Sequence, residues 1–253
     1  MVTQKDIRTA KKYILKKSED TEKYEAIKGY DFNKEFNFDN FLEAYKTTGF
    51  QASNMVEAID IIKSMIKNKA RIFLAYNSHM VSCGLREIIA YLVKNKLVHV
   101  LVTTAGGIEE DAIKTLKPFL LGTFEADGKT LRDRGINRIG NIFVPNSRYC
   151  EYEDNIMTPF LKEIYKEDKV ISASDFIYKL GKKLNDENSI LYWASKHNIP
   201  VFCPALTDGS TGDMISFFKY DHPDFKLDIA DDILKLNELA ITAEKTGIIS
   251  AIT

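Results

Sequence analysis

Residues 98–111 read VHVLVTTAGGIEED. The apolar, largely β-branched run Val98, Val100, Leu101, Val102 stops at Thr103-Thr104. Ala105, Gly106 and Gly107 follow, and Glu109, Glu110 and Asp111 open a segment continuing AIKTLK. This is the pattern of a strand, a small-residue turn and a helix. In open α/β sheets such turns sit at the carboxyl ends of strands, where ligands bind. Gly106 and Gly107 allow close approach to the backbone. A phosphate site would present bare N–H groups at a helix N-terminus. Three carboxylates there would repel phosphate and attract a cation, or else only complement the helix dipole. The residues alone leave both readings open.

Working outward, Arg71 to Tyr76 (RIFLAY) is a second short apolar strand. It runs into the polar loop Asn77-Ser78-His79, then Ser82-Cys83-Gly84 and a helix reaching about Asn95. Residues 71–104 thus form a strand–helix–strand unit whose crossover implies a parallel pair. Their two polar loops then meet on one edge of the sheet. No GxGxxG is present, so any dinucleotide is held without the standard fingerprint.

On the amino-terminal side, Ile7, Ala10, Ile14 and Leu15 share one face of a helix over 4–17, an amphipathic arm ending near residue 28. Helices are predicted at 39–47 and 53–67, the second capped by Ser53 or Asn54. On the carboxyl side, residues 118–149, with glycines at 122, 128, 135 and 140, read as a long loop or hairpin. Helices follow at 151–168, 174–184 (capped by Ser172 or Ser174) and 189–197. A strand at 200–205 ends in Leu206-Thr207-Asp208-Gly209-Ser210-Thr211-Gly212-Asp213, a polar loop that feeds a helix. There Asp208 and Asp213 could equally serve as turn and cap residues. A brief strand is predicted at 227–229. A helix at 231–245 should turn Ile233, Leu236, Ala240 and Ala243 inward, before a last strand from Gly247.

The expected fold is α/β: a Rossmann-like, doubly wound, mostly parallel sheet with helices on both faces and an N-terminal helical arm (1–28 arm, 29–253 main domain). The formal net charge of -1 gives no electrostatic case for nucleic acid. No apolar run approaches about 18 residues, so no membrane span is expected. The charged N-terminus lacks the apolar core of a signal peptide, which points to the cytoplasm. Cys83, Cys150 and Cys203 are isolated, giving neither a metal site nor a disulfide framework.

Five segments carry a resemblance: TTGFQASN (47–54), VLVTTAGGIEED (100–111), GINRIGN (135–141), PNSRYCEYED (145–154) and PALTDGSTGDM (204–214). Together they closely resemble deoxyhypusine synthase, over about 28–249. The resemblance implies a cytosolic homotetramer with a Rossmann-like core. It implies NAD-dependent transfer of the 4-aminobutyl group of spermidine to a lysine of the translation initiation factor 5A precursor. It places cofactor contacts at Ser78, His79, Met80, Val81, Ser82, Thr104, Ala105, Gly106, Glu110 and Asp208. It places polyamine contacts at Glu109, Glu110 and Asp213, where carboxylates suit positive amines. His79 departs from the family, which usually has Asn there.

The family continues beyond the strand matching 247–249 into a glycine triplet, a His-rich helix and a segment bearing the nucleophilic lysine. Here Ser250-Ala251-Ile252-Thr253 stands instead. The expectation is a C-terminally truncated synthase without a catalytic residue of its own, inactive alone. The alternative is a shortened, catalytically dead paralogue that regulates a full-length synthase in a mixed oligomer.

Overall fold

The computed structural model describes residues 2–252. It comprises two compact units, Met1–Ser64 and Met65–Thr253. In the first, α1 (Gln4–Ile14) is opened by a reciprocal Thr3–Asp6 capping box and buries no residue. After it, α2 (Phe38–Ala44) and a 3-10 turn (Tyr45–Thr47) lead to α3 (Phe50–Lys67). Tyr30 meets Phe32, Phe36 and Phe41 edge-on, with centroids 4.9 to 6.0 Å apart, a small aromatic cluster.

The expected cap at Ser53 or Asn54 is not used, because α3 starts earlier, at Phe50. The Ser53 hydroxyl instead accepts from Gly49 N at 3.1 Å and donates to Lys46 O at 2.9 Å. It ties down the turn that precedes the helix. Gly49, at φ +88, supplies the left-handed residue that turn requires.

The second unit is built on β1 (Arg71–Tyr76) and β2 (Val100–Thr103), joined by α4 (His79–Ser82) and α5 (Arg86–Lys94). Then come α6 (Ala105–Leu116), β3 (Leu120–Leu121), α7 (Gly128–Asp133), β4 (Ile136–Ile139) and β5 (Ile142–Pro145). A helical stretch follows as α8 (Ser147–Tyr152), a π turn (Glu153–Met157) and α9 (Thr158–Glu167). The chain continues through β6 (Val170–Ser172), α10 (Ala173–Lys183), α11 (Ile190–His197) and β7 (Val201–Phe202). It ends with α12 (Ser210–Asp221), β8 (Lys226–Asp228), α13 (Ile229–Ile241) and β9 (Thr246–Ala251).

The central sheet is wholly parallel, in the order β7-β2-β1-β9. Counted along the chain this is 3-2-1-4, the order of the first four strands of a Rossmann sheet, whose ligand crevice lies at the carboxyl ends of the strands. Ile72, Leu74 and Tyr76 of β1 and Val100 and Leu101 of β2 are buried. Ile72, Leu74, Tyr76 and Leu101 join Ile108, Ile113, Phe160, Phe176, Leu180 and Ile190 of the surrounding helices in one core. The predicted α/β fold with a mostly parallel sheet is the one observed.

Local differences have local causes. The stretch 118–149 is more ordered than a loop: β3, β5 and β4 form a three-stranded antiparallel sheet. The strand expected at 200–205 is shortened to Val201–Phe202. Ser172 and Ser189 cap α10 and α11, accepting from Asp175 N and Tyr192 N. The face assigned to α13 is right only in part, since Leu236 and Ala243 are half-buried. Ile233 is 61% exposed and Ala240 is exposed, whereas Asp232 is buried. The Asp232 carboxylate accepts from the Ser174 amide and hydroxyl at 2.8 and 2.5 Å. Hydrogen bonds to α10 orient the helix, and its apolar periodicity does not.

Candidate functional site

The small residues after β2 are not a turn. Thr104 holds extended geometry (φ -91, ψ 166) and α6 begins at Ala105, so Gly106 and Gly107 occupy its first turn. The three acids therefore lie a turn further in, and the first turn carries no acid. Complementing their own helix dipole is thus not their role. All three are buried instead.

Each reaches a different element. Asp111 is fully buried and accepts from Arg86 Nε (2.7 Å), Ser189 Oγ (2.7 Å), Ile190 N (3.1 Å) and Leu191 N (2.9 Å). It pairs a buried guanidinium and caps α11, a structural task with no lone pair left for a ligand. Glu109 accepts from Thr211 N at 2.9 Å, at the start of α12. A Cβ added at Gly209 would stand 2.9 Å from both Glu109 carboxylate oxygens, so glycine lets the loop after β7 close on this acid without displacing its carboxylate. Glu110 accepts a short hydrogen bond from the buried Ser82 hydroxyl of α4. Burial pushes its pKa up to about 7, helped by the Glu109 charge and opposed by the Ser82 hydrogen bond and Lys114.

The loops after β1, β2 and β7 thus converge at the carboxyl edge of the sheet. Ser78 N donates to Thr104 Oγ1 at 3.0 Å, which draws the first two loops together. With its oxygen so occupied, the Thr104 side chain does not cap α6. A Cβ at Gly106 would lie 2.7 Å from Ser78 Cβ, so a bare backbone is required between them. An uncapped twelve-residue helix opening on two close-packed small residues fits the diphosphate of a dinucleotide.

The other expected residues fall as follows. Met80 and Val81 are buried in the core, and their amides are taken by Asn77 O and Ser78 O. Within the stretch 78–82 this leaves half-buried Ser78 and exposed His79 with accessible side chains. Ala105 is buried as the first residue of α6. Asp208 and Asp213 are exposed, on the loop after β7 and in the first turn of α12. Gly209 holds the N-cap position of α12.

Three further side chains join the site without having been assigned a role from sequence. The Tyr149 hydroxyl is pushed up to about 12 by burial and by the charges of Glu110 and Glu109. Tyr152 is fully buried and its hydroxyl lies 3.1 Å from Thr211 Oγ1, bracing the turn that Glu109 caps. Lys114 Nζ donates to the carbonyls of Val81 (2.6 Å), Ser82 (2.9 Å) and Cys83 (3.2 Å). The tyrosines lie in the PNSRYCEYED segment, which marked the region without showing what they touch. Among the described residues no group of three or more His, Cys, Asp or Glu could hold a metal ion, and no helix is long and apolar enough to cross a membrane.

Comparison with known proteins bears on the same residues. The family model for deoxyhypusine synthase matches residues 40–251. A protein of Methanocaldococcus jannaschii named a probable deoxyhypusine synthase is 50% identical, over 93% of this chain and 77% of its own length. One of Pyrococcus abyssi with the same name is 49% identical, over 94% and 76%. One from Drosophila melanogaster is 43% identical, over 95% and 73%. A crystal structure assigned to deoxyhypusine synthase of Entamoeba histolytica superposes with a TM-score of 0.70 at 31% identity, covering 88% of this chain and 78% of that one. With a parallel sheet in Rossmann order and paired buried glutamates at its carboxyl edge, the chain belongs to the deoxyhypusine synthase family.

Proposed function

We propose that this chain takes part in NAD-dependent transfer of the 4-aminobutyl group of spermidine to a lysine of the translation initiation factor 5A precursor, in the cytoplasm and as part of a tetramer. The carrying observation is the buried pair Glu109 and Glu110, set side by side on α6 between an uncapped helix N-terminus and the loop after β7. Bound NAD would supply a hydride acceptor that later returns the hydride. The chain's own residues would do the rest of the positioning. Ser78, Thr104 and Gly106 would take the dinucleotide where the backbone is bare. Glu109, Glu110 and Asp213 would hold the polyamine's ammonium groups, and Asp208 would close the cofactor side. Glu110, near neutrality when free, can hold a proton on its carboxyl group until a cationic amine arrives.

One observation favours a second reading. The lysine whose charge acts on Glu110 is Lys114, and three carbonyls hold its ammonium. It presents no free amine for covalent capture, which a lysine nucleophile requires. A catalytically dead paralogue acting as regulatory subunit of an active synthase fits this. Two experiments separate the readings. Calorimetry with NAD and then spermidine tests the site, and binding of neither refutes both. Incubation with NAD, spermidine and the factor precursor, with and without a co-purifying active paralogue, tests catalysis. Product from this chain alone supports the first reading, and product or stimulation only in the mixed oligomer supports the second.

A further inference from the structure

Lys114 stands one helical turn after Glu110, so the two project from the same side of α6. Both reach α4, which packs on α6. Glu110 takes the Ser82 hydroxyl. Lys114 takes the carbonyls of Val81, Ser82 and Cys83, at 2.6, 2.9 and 3.2 Å. Helix α4 has only four residues and ends at Ser82, so these are carbonyls its own ladder leaves unpaired. A single ammonium has three donors, which matches the three acceptors. The Phe119 ring, 5.3 Å from Nζ, covers its outer side.

We propose that Lys114 is a positioning residue of the candidate site: it clamps α4 onto α6 and sets the proton affinity of Glu110 through that clamp and through its charge. The functional meaning of this role rests on the reading of the cleft given above, although the clamp itself does not. Two effects act together. The Ser82 hydroxyl bonds the Glu110 carboxylate only while α4 is held at this depth, and the lysine charge favours the same carboxylate. Both oppose burial and the Glu109 charge, which favour the neutral acid. Tyr149, from α8, also feels the Glu110 charge. Around Lys114 itself stand Glu87, Arg86, Glu110 and Cys83, and burial lowers its own proton affinity.

The test reads Glu110 in the free chain, with no ligand. Carbon-13 NMR of glutamate-labelled chain, with the resonance assigned by Glu110→Gln, is followed against pH. In Lys114→Met the proton affinity of Glu110 should rise about tenfold, roughly one pH unit. Hydrogen exchange at the amides of α4 should quicken in the same variant. Lys114→Arg keeps the charge and should return the titration most of the way. If the methionine variant does not fold, Lys114→Gln replaces it, since its amide still donates to carbonyls without a charge. A folded variant with unchanged Glu110 titration would overturn the proposal. A shifted titration in a chain that binds neither NAD nor spermidine would uphold the positioning role and refute the proposed function of the cleft.

Discussion

Polyamine binding to this cleft should be coupled to release of a proton from Glu110. The free carboxyl titrates at about 7 because it is buried beside Glu109. An ammonium placed against it favours the ionised form and should return it to about its ordinary 4.5 or below. At pH 5 the free acid is then about 99% protonated, so a cation that needs the carboxylate binds about 100-fold more weakly than above pH 8, about 2.7 kcal/mol. Between those limits affinity should change about tenfold per pH unit below 7 and level off above it. Calorimetry of spermidine with NAD-saturated chain, from pH 5.5 to 8.5 in two buffers of different ionisation enthalpy, measures both affinity and protons released. About 0.9 proton should leave at pH 6. Glu110→Gln should flatten the profile and abolish the release. A flat profile in the unaltered chain, or the same slope in the glutamine variant, would refute the reasoning.

The same acid should cost stability when the cleft is empty. Its folded pKa lies above its unfolded value of 4.5, so its contribution is full below 4.5 and lost as pH rises through 7. Glu110→Gln should therefore stabilise the ligand-free chain at pH 8, by at most about 3 kcal/mol, while weakening polyamine binding.

Other perturbations separate framework from site. Asp111→Ala leaves the buried Arg86 guanidinium with Asp186 as its remaining strong partner and frees the Ile190 and Leu191 amides at the start of α11, and should cost about 3 kcal/mol in denaturant unfolding. Gly209→Ala puts a methyl 2.9 Å from both Glu109 oxygens, and should weaken spermidine binding by tenfold or more while the far-ultraviolet circular dichroism is retained. His99 Nδ1 accepts from Ile72 N at 3.0 Å, and burial and Arg71 lower its proton affinity. Its contribution is therefore full above the unfolded value of about 6.5 and lost as pH falls below it. A melting temperature that falls between pH 7 and 5, less steeply in His99→Gln, would bear this out.

Much of the architecture is local and was therefore legible. The apolar runs at 71–76 and 100–103, each closed by a polar or glycine-bearing stretch, mark β1, β2 and the edge where their loops meet. Ser172 caps a helix that begins one residue later, an interaction contained within four residues of chain. The clustering of acids at 109–111 was visible as unusual chemistry, and the resemblance marked which of them to follow.

What those acids do could not be read from the string. Glu109 meets Thr211 across 102 residues, Glu110 meets Ser82 across 28, and Asp111 meets Ser189 across 78. Consecutive residues on α6 point about 100° apart, so three adjacent and similar carboxylates enter three different environments. Asp232 shows the same limit, since a partner 58 residues away turned α13 against its apolar periodicity. Local patterning determined where the strands, their loops and most helices lie, because those depend on short-range propensity and capping. Only tertiary packing decided which of the three acids is framework, which braces a loop and which is left titrating near neutrality, because burial and distant partners set the free energy of each charge.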